Sequence, residues 1–153
     1  MRIGTSLLCL FLLLSLMGCS RQKPMPREVL GEAMVGCALP SGTVYTVGQE
    51  KGELSAPSDL LQTLVGAEDA LGGVKEGVFY LSAREEICEV AVLFCYTASE
   101  AREAAELFQA RGNFLAHFSE GVSACVSVKG KYVLFAAGKK AQTILAALER
   151  ATR

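Results

Sequence analysis

The sequence predicts an α+β domain: a four-stranded antiparallel sheet from two successive β-β-α units, with the two long helices on one face. Further helices precede it. Three observations lead there. Residues 78–82 and 87–96, then 122–128 and 132–137, form two pairs of apolar, β-branched runs, each pair split by a short polar turn. A helical stripe of apolar residues follows each pair. The second pair also specifies its own core face, whichever turn joins it.

That hairpin can be read residue by residue. In Val122-Ser-Ala-Cys-Val-Ser-Val128 the even positions are apolar, while Ser123, Cys125 and Ser127 point the other way. A two-residue loop at Lys129-Gly130 pairs Val126 with Val133, and one at Gly130-Lys131 pairs it with Phe135. Both place Val133, Phe135 and Ala137 on the face of Val122, Ala124, Val126 and Val128. The helices are expected there.

The remaining elements follow in order. From Arg27, the stripe Val29, Leu30, Ala33, Met34, Cys37 predicts a helix that Leu39-Pro40-Ser41-Gly42 ends. Thr43 to Val47 alternates as a short strand or extended arm. A second helix is expected over Pro57 to Val65, capped by Ser55 or Ser58, with Leu60, Leu61, Leu64 and Val65 on one face. The GAEDALGGVKEG stretch that follows reads mostly as loop. Ala83-Arg84-Glu85-Glu86 is the first hairpin's turn, and Ile87 to Tyr96 reads as a buried strand. Thr97-x-x-Glu100 has the form of a capping box, with Ser99 as an alternative cap. The long helix it opens carries Ala101, Ala104, Ala105, Phe108, Leu115 and Phe118 inward and is weakened, not broken, at Gly112. The closing helix spans about Lys139 to Ala151, with Ile144, Leu145 and Leu148 inward.

Ahead of all this stands a leader. Arg2 precedes an apolar run from Leu7 to Met17, the layout of a secretory signal peptide. Fifteen helical residues from Ile3 to Met17 would reach only about 22 Å, short of the roughly 30 Å hydrocarbon core. A permanent span is the weaker reading. Leu16-Met17-Gly18-Cys19 resembles the lipobox of bacterial lipoproteins. The resemblance implies that the Cys19 thiol takes a diacylglyceryl group, that the Gly18–Cys19 bond is cleaved, and that the protein is anchored on the extracytoplasmic face of the cell membrane. Two acyl chains anchor stably, since each buried methylene contributes about 0.8 kcal/mol and one chain alone is marginal. The organisation is then a signal peptide at 1–18, a lipidated tether at 19–26 and one α+β domain at 27–153.

Removing the leader takes away one charge, Arg2, so the formal net charge moves from −1 to −2. That balance and the lack of a basic stripe argue against a nucleic-acid partner. An apolar content near half supports a real core. Cys37, Cys88, Cys95 and Cys125 remain, an even number that permits disulfides in three pairings and equally permits free thiols packed as small hydrophobes. No Cys-x-x-Cys or Cys/His spacing suggests a metal, and no cofactor motif is present; Gly72-Gly73 lacks the Lys-Ser/Thr of a phosphate loop.

A second resemblance covers residues 27–151. Leu61-Gln-Thr-Leu-Val-Gly66, Glu89-Val-Ala-Val-Leu-Phe94 and above all Val126-Ser-Val-Lys-Gly-Lys-Tyr-Val-Leu134 resemble a family of small lipoproteins from Gram-positive bacteria known as domain of unknown function 4358. It implies lipid anchoring and an α+β domain, and carries no catalytic residues.

Two functional readings follow. The first is a non-catalytic domain that binds an envelope protein or ligand, using the sheet face of Ser123, Cys125, Ser127 and Tyr132 if the N-terminal helices leave it open. The second is a thiol-dependent enzyme or redox protein pairing Cys125 or Cys95 with His117, the one histidine of the chain. The first is favoured, because convergent polar groups are missing. Glu85, Glu86, Glu89, Glu100, Glu103 and Glu106 read as solvated or helix-supporting carboxylates. Lys129, Lys131, Lys139 and Lys140, spread over two loops, are a thin basis for headgroup binding.

Overall fold

The computed structural model describes residues 23–50, 52, 54–66, 69–83 and 86–153. The leader and residues 19–22 of the tether, Cys19 among them, therefore lie outside the described residues, as do Arg84 and Glu85 of the first hairpin turn. The elements are α1 (Pro26–Cys37), β1 (Gly42–Gly48), α2 (Ser58–Val65), β2 (Val74–Ser82), β3 (Cys88–Cys95), α3 (Ala98–Phe118), β4 (Ser123–Lys129), β5 (Tyr132–Gly138) and α4 (Ala141–Ala151). The strands form one antiparallel sheet in the order β1-β2-β3-β5-β4.

The sheet thus has five strands, not four. The fifth is the 43–47 segment, which pairs along β2 from Gly42–Ser82 to Gly48–Glu76. β2 is also longer than expected. Val74 to Gly77, read as loop because of the surrounding glycines, continues the ladder against β3 beyond a register shift between Val74 and Glu76. The outer edge of β1 is covered in turn: Thr46 N–H donates to the Leu54 carbonyl at 2.8 Å and Ala56 N–H to the Thr46 carbonyl at 2.9 Å. An edge paired this way is closed to stray strands.

Helix placement is the second correction. α3 lies on the expected face, where Phe108 meets Phe79 and Phe135 at ring-centroid distances of 5.8 and 5.1 Å. Ala124, Val126, Val133 and Ala137 join that cluster, together with Leu64 and Val65 of α2. α4 does not. Its Ile144, Ala147 and Leu148 pack with Val29, Leu30 and Ala33 of α1 onto Val78, Tyr80, Val90, Val92, Leu134 and Ala136, the opposite face. The sheet is sandwiched, α2 and α3 on one side, α1 and α4 on the other. The physical reason is that β5 is buried at every position. A strand apolar on both faces needs a cover on both.

Local signals behave unevenly. The β4–β5 hairpin takes the Gly130-Lys131 loop, pairing Val126 with Phe135 and Lys129 with Tyr132. Gly130 has φ +62°, and Lys131 no positive φ, the sign pattern of a type II′ turn with glycine first. Thr97 Oγ1 caps α3 by accepting the Glu100 N–H at 3.2 Å, and it donates to Glu100 Oε2 at 2.8 Å. For α2 the cap position falls on Pro57, and neither Ser55 nor Ser58 supplies a side-chain cap. α1 is clamped at both ends by tyrosines of the sheet. Tyr80 OH donates to the Pro40 carbonyl beyond its C-terminus, and Tyr132 OH to the Pro24 carbonyl before its N-terminus.

Gly112 sits mid-helix on the buried side of α3. A Cβ added there would lie 2.7 Å from Ala124 Cβ, so the missing side chain sets how closely α3 approaches β4. Gly112→Ala therefore pits a helix-propensity gain of about 1 kcal/mol against an overpacking cost of about 1–3 kcal/mol. Urea denaturation should show a net loss of stability, and adding Ala124→Gly should recover part of it. A stabilised single variant would refute the close approach.

Candidate functional site

The residues singled out from the sequence are distributed as follows. Tyr132 is buried under α1, Ser127 Oγ donates to Glu149 Oε1 of α4 at 2.7 Å, and Lys129 Nζ donates to the Glu149 carbonyl at 3.1 Å. Cys125 packs against the same helical layer. Ser123, at the strand's start, is exposed and donates to the Gly138 carbonyl at 3.2 Å. This face is thus partly covered by α1 and α4, with Tyr132 buried, Cys125 and Ser127 half-buried and the Ser123, Ser127 and Tyr132 hydroxyls engaged internally.

The thiol–imidazole pairs are not brought together. Cys95 ends β3 immediately before α3, and His117 stands at the far end of that 21-residue helix, about 30 Å of helical rise away. Cys125 and His117 lie on opposite sides of the sheet, since α3 packs on the face of Ala124 and Val126. His117 is exposed, its ring edge-on to Phe118 at 4.9 Å.

All four cysteines of the described residues are free. Burial pushes the Cys88 thiol up to about 11, with Glu86, Glu89 and Cys37 adding to the effect and Lys140 opposing it. Burial, with a smaller contribution from Glu100, likewise pushes Cys95 up to about 11. Both are protonated at neutral pH, and a protonated buried thiol is a poor nucleophile. Cys37 and Cys88 line a cavity of about 240 Å³ between the end of α1 and the start of α4, whose rim carries Lys139 and Lys140. Among the described residues, no group of three or more His, Cys, Asp and Glu is placed to hold a metal ion.

The surface with the features of a binding site lies elsewhere, in the groove between α2 and α3. Leu64, Val65, Leu107, Ala110, Arg111 and Phe114 line a cavity of about 370 Å³ there. Phe114 is 52% exposed and Phe118, one turn on, 69%; their rings touch in a tilted arrangement, 4.6 Å between centroids and 43° between planes. Exposed aromatic pairs are uncommon on a surface with no partner. Phe118, expected inward from the helical stripe, instead points to solvent beside Phe114; their i, i+4 spacing, in a helix that already turns Phe108 and Leu115 inward, is the signal that the expectation passed over. Two aromatic faces cannot both point at one sheet.

Arg111 builds the floor of the groove. Its Nη2 donates to Glu89 Oε1 at 2.6 Å and its Nε to Oε2 at 3.1 Å, a bidentate pair with both side chains 14% exposed. Nη1 donates to the Thr63 carbonyl at 3.4 Å, and the guanidinium lies 5.6 Å from the Phe114 ring centroid. One side chain therefore links β3, α2 and the exposed aromatic pair. Planarity and five donors make arginine specific for this, and lysine would not replace it.

No family model, curated protein or solved structure matches the chain.

Removing one partner of a poorly hydrated ion pair strands the other. Arg111→Ala should lower stability by about 3 kcal/mol, whereas the apolar double replacement Arg111→Met with Glu89→Leu should lose much less. Chemical denaturation of the three chains measures this. A single variant no less stable than the double one would show the pair to be incidental.

Proposed function

We propose that the protein is a lipid-anchored extracytoplasmic lipoprotein whose domain is a non-catalytic binding module, taking an apolar segment of an envelope protein into the α2–α3 groove. The observation that carries the binding reading is the groove itself, apolar and flanked by the exposed, mutually contacting rings of Phe114 and Phe118. Interfaces concentrate their free energy in such aromatic anchors. The anchoring reading is supported by Leu16-Met17-Gly18-Cys19 directly after an apolar leader. It asks nothing of the folded part, where no described helix is long and apolar enough to cross a membrane.

Binding is tested by crosslinking the full-length tagged chain in intact cells and comparing it with Phe114→Ser/Phe118→Ser. Phe118 is mostly exposed and Phe114 half-exposed, so the double variant should stay folded, with a loss of about 1 kcal/mol that chemical denaturation checks. The crosslinked partner should be lost. Recovery of the same partner by the double variant would overturn the groove as the binding site.

Anchoring is tested at Cys19. Cys19→Ala should leave the chain unlipidated and move it out of the detergent phase on phase separation. Processed Cys19→Ala protein that still partitions with lipid would overturn the anchor.

A further inference from the structure

If Cys19 carries the acyl chains, only residues 20–22 separate it from Lys23, the first described residue. Four residue steps span at most about 14 Å when fully extended. What Lys23 and its neighbours touch therefore decides which part of the domain comes to the lipid surface.

The contacts are specific. Lys23 Nζ lies 5.9 Å from the Phe94 ring centroid, and the Pro24 carbonyl accepts the Tyr132 hydroxyl. Phe94 and Tyr132 are paired neighbours at one end of β3 and β5, their rings 4.9 Å apart. The chain thus leaves the domain at the sheet end formed by the end of β3, the start of β5 and the Gly130-Lys131 turn. Exposed there are Lys23 and Lys131, together with Tyr96 at 47% and Met25 at 48%. Tyrosine and lysine are side chains suited to a headgroup layer, one through an amphipathic ring and the other through a long apolar stem. Lys139 and Lys140 stand beyond the other end of β5, about 20 Å away along a seven-residue strand.

Building on the anchoring proposed above, we infer that the Lys23–Phe94 and Pro24–Tyr132 contacts, with the short stretch to Cys19, hold this end of the sheet against the lipid headgroups. Lys23, Met25, Tyr96 and Lys131 meet the bilayer, and the cavity rimmed by Lys139 and Lys140 faces away from it. Charge is not the cause. Glu28, Glu50 and Glu76 share this end with Lys23, Arg27, Lys75 and Lys131, and burial and Glu76 chiefly raise the Glu50 carboxyl above its ordinary value, against Arg27. Tether reach sets the orientation, so zwitterionic lipid suffices.

The native lysines report it. Full-length lipidated protein in phosphatidylcholine vesicles is recovered by flotation, acylated briefly with an amine reagent and mapped by mass spectrometry. Lys23 and Lys131 should label severalfold less than Lys139 and Lys140 in the same molecules. An insertion of about 20 Gly/Ser residues before Gln22, with a root-mean-square reach near 25 Å, should restore even labelling while the chain still floats. Even labelling of the original protein, stronger protection of Lys139 and Lys140, or protection that survives the insertion would each overturn the inference and leave the anchor intact. Failure to float would overturn the anchor, and the inference with it.

Discussion

The architecture depends on one constraint, the double-sided burial of the central β3–β5 pair. β5 is buried from Tyr132 to Gly138, and in β3 only Glu89 and Phe94 are partly accessible. Its residues alternate between two clusters: Val90 and Val92 with Leu134 and Ala136 on one side, Ala91 and Leu93 with Val133 and Phe135 on the other. Neither helical layer alone removes this surface from water. At roughly 25 cal/mol per Å² of apolar area, re-exposing about 200–600 Å² would cancel a domain's net stability of about 5–15 kcal/mol. Hence both helix pairs are required. The places where each layer comes closest, Gly112 against Ala124 and the Tyr80 and Tyr132 clamps on α1, are consequences of that requirement.

What could be read from the sequence follows the same division. The β4–β5 hairpin was legible because a two-residue period and a glycine turn act locally, and the observed register is one of the two those residues allow. α3 was legible through its cap and stripe. The second helical layer was not, because alternation in β4 suggested a single core face. Yet Ala124 and Val126 alternate with Cys125 and Ser127 only because α4 brings its own polar group, Glu149, to meet Ser127. Ser127, on a face that the sequence leaves open only if no N-terminal helix covers it, faces the C-terminal helix α4. The better signal lay in Tyr132 to Ala137, six residues with no polar alternation, which marks burial on both faces. β1 was only half legible: its alternation suggests a strand or an extended arm, and nothing local tells whether it pairs with residues 78–82, which take five of its seven pairs, while the last two fall on Gly77 and Glu76, where glycines mask the pattern.

The candidate site shows how tertiary placement overrides residue chemistry. A thiol and an imidazole are reactive types, and the chain has both. The fold sets Cys95 and His117 at opposite ends of α3, and Cys125 across the sheet. In contrast, Glu89, which from the sequence reads as solvated, forms a bidentate pair with Arg111 in the groove floor. Twenty-two positions separate them. That distance is closed only by the strand-to-helix return through Thr97, which carries α3 back over the strand it has just left.

α3 also joins the two proposals. It starts at Ala98, beside Tyr96 on the end of the sheet where the chain enters, and runs toward Phe118 at the other. The groove residues Leu107 to Phe114 therefore lie about 14–24 Å along it. In the tethered arrangement proposed above, the groove would open sideways above the headgroups, too far from them to be filled by lipid and too close to the membrane for a partner that stays far from it. Under that proposal a short anchor would act as a filter as well as a hold: it would confine the groove to a layer a few nanometres deep, within reach of membrane-attached or wall-proximal proteins. Effective concentration of this kind can raise apparent affinity by orders of magnitude without any added contact, which suits a groove whose apolar lining would by itself bind weakly.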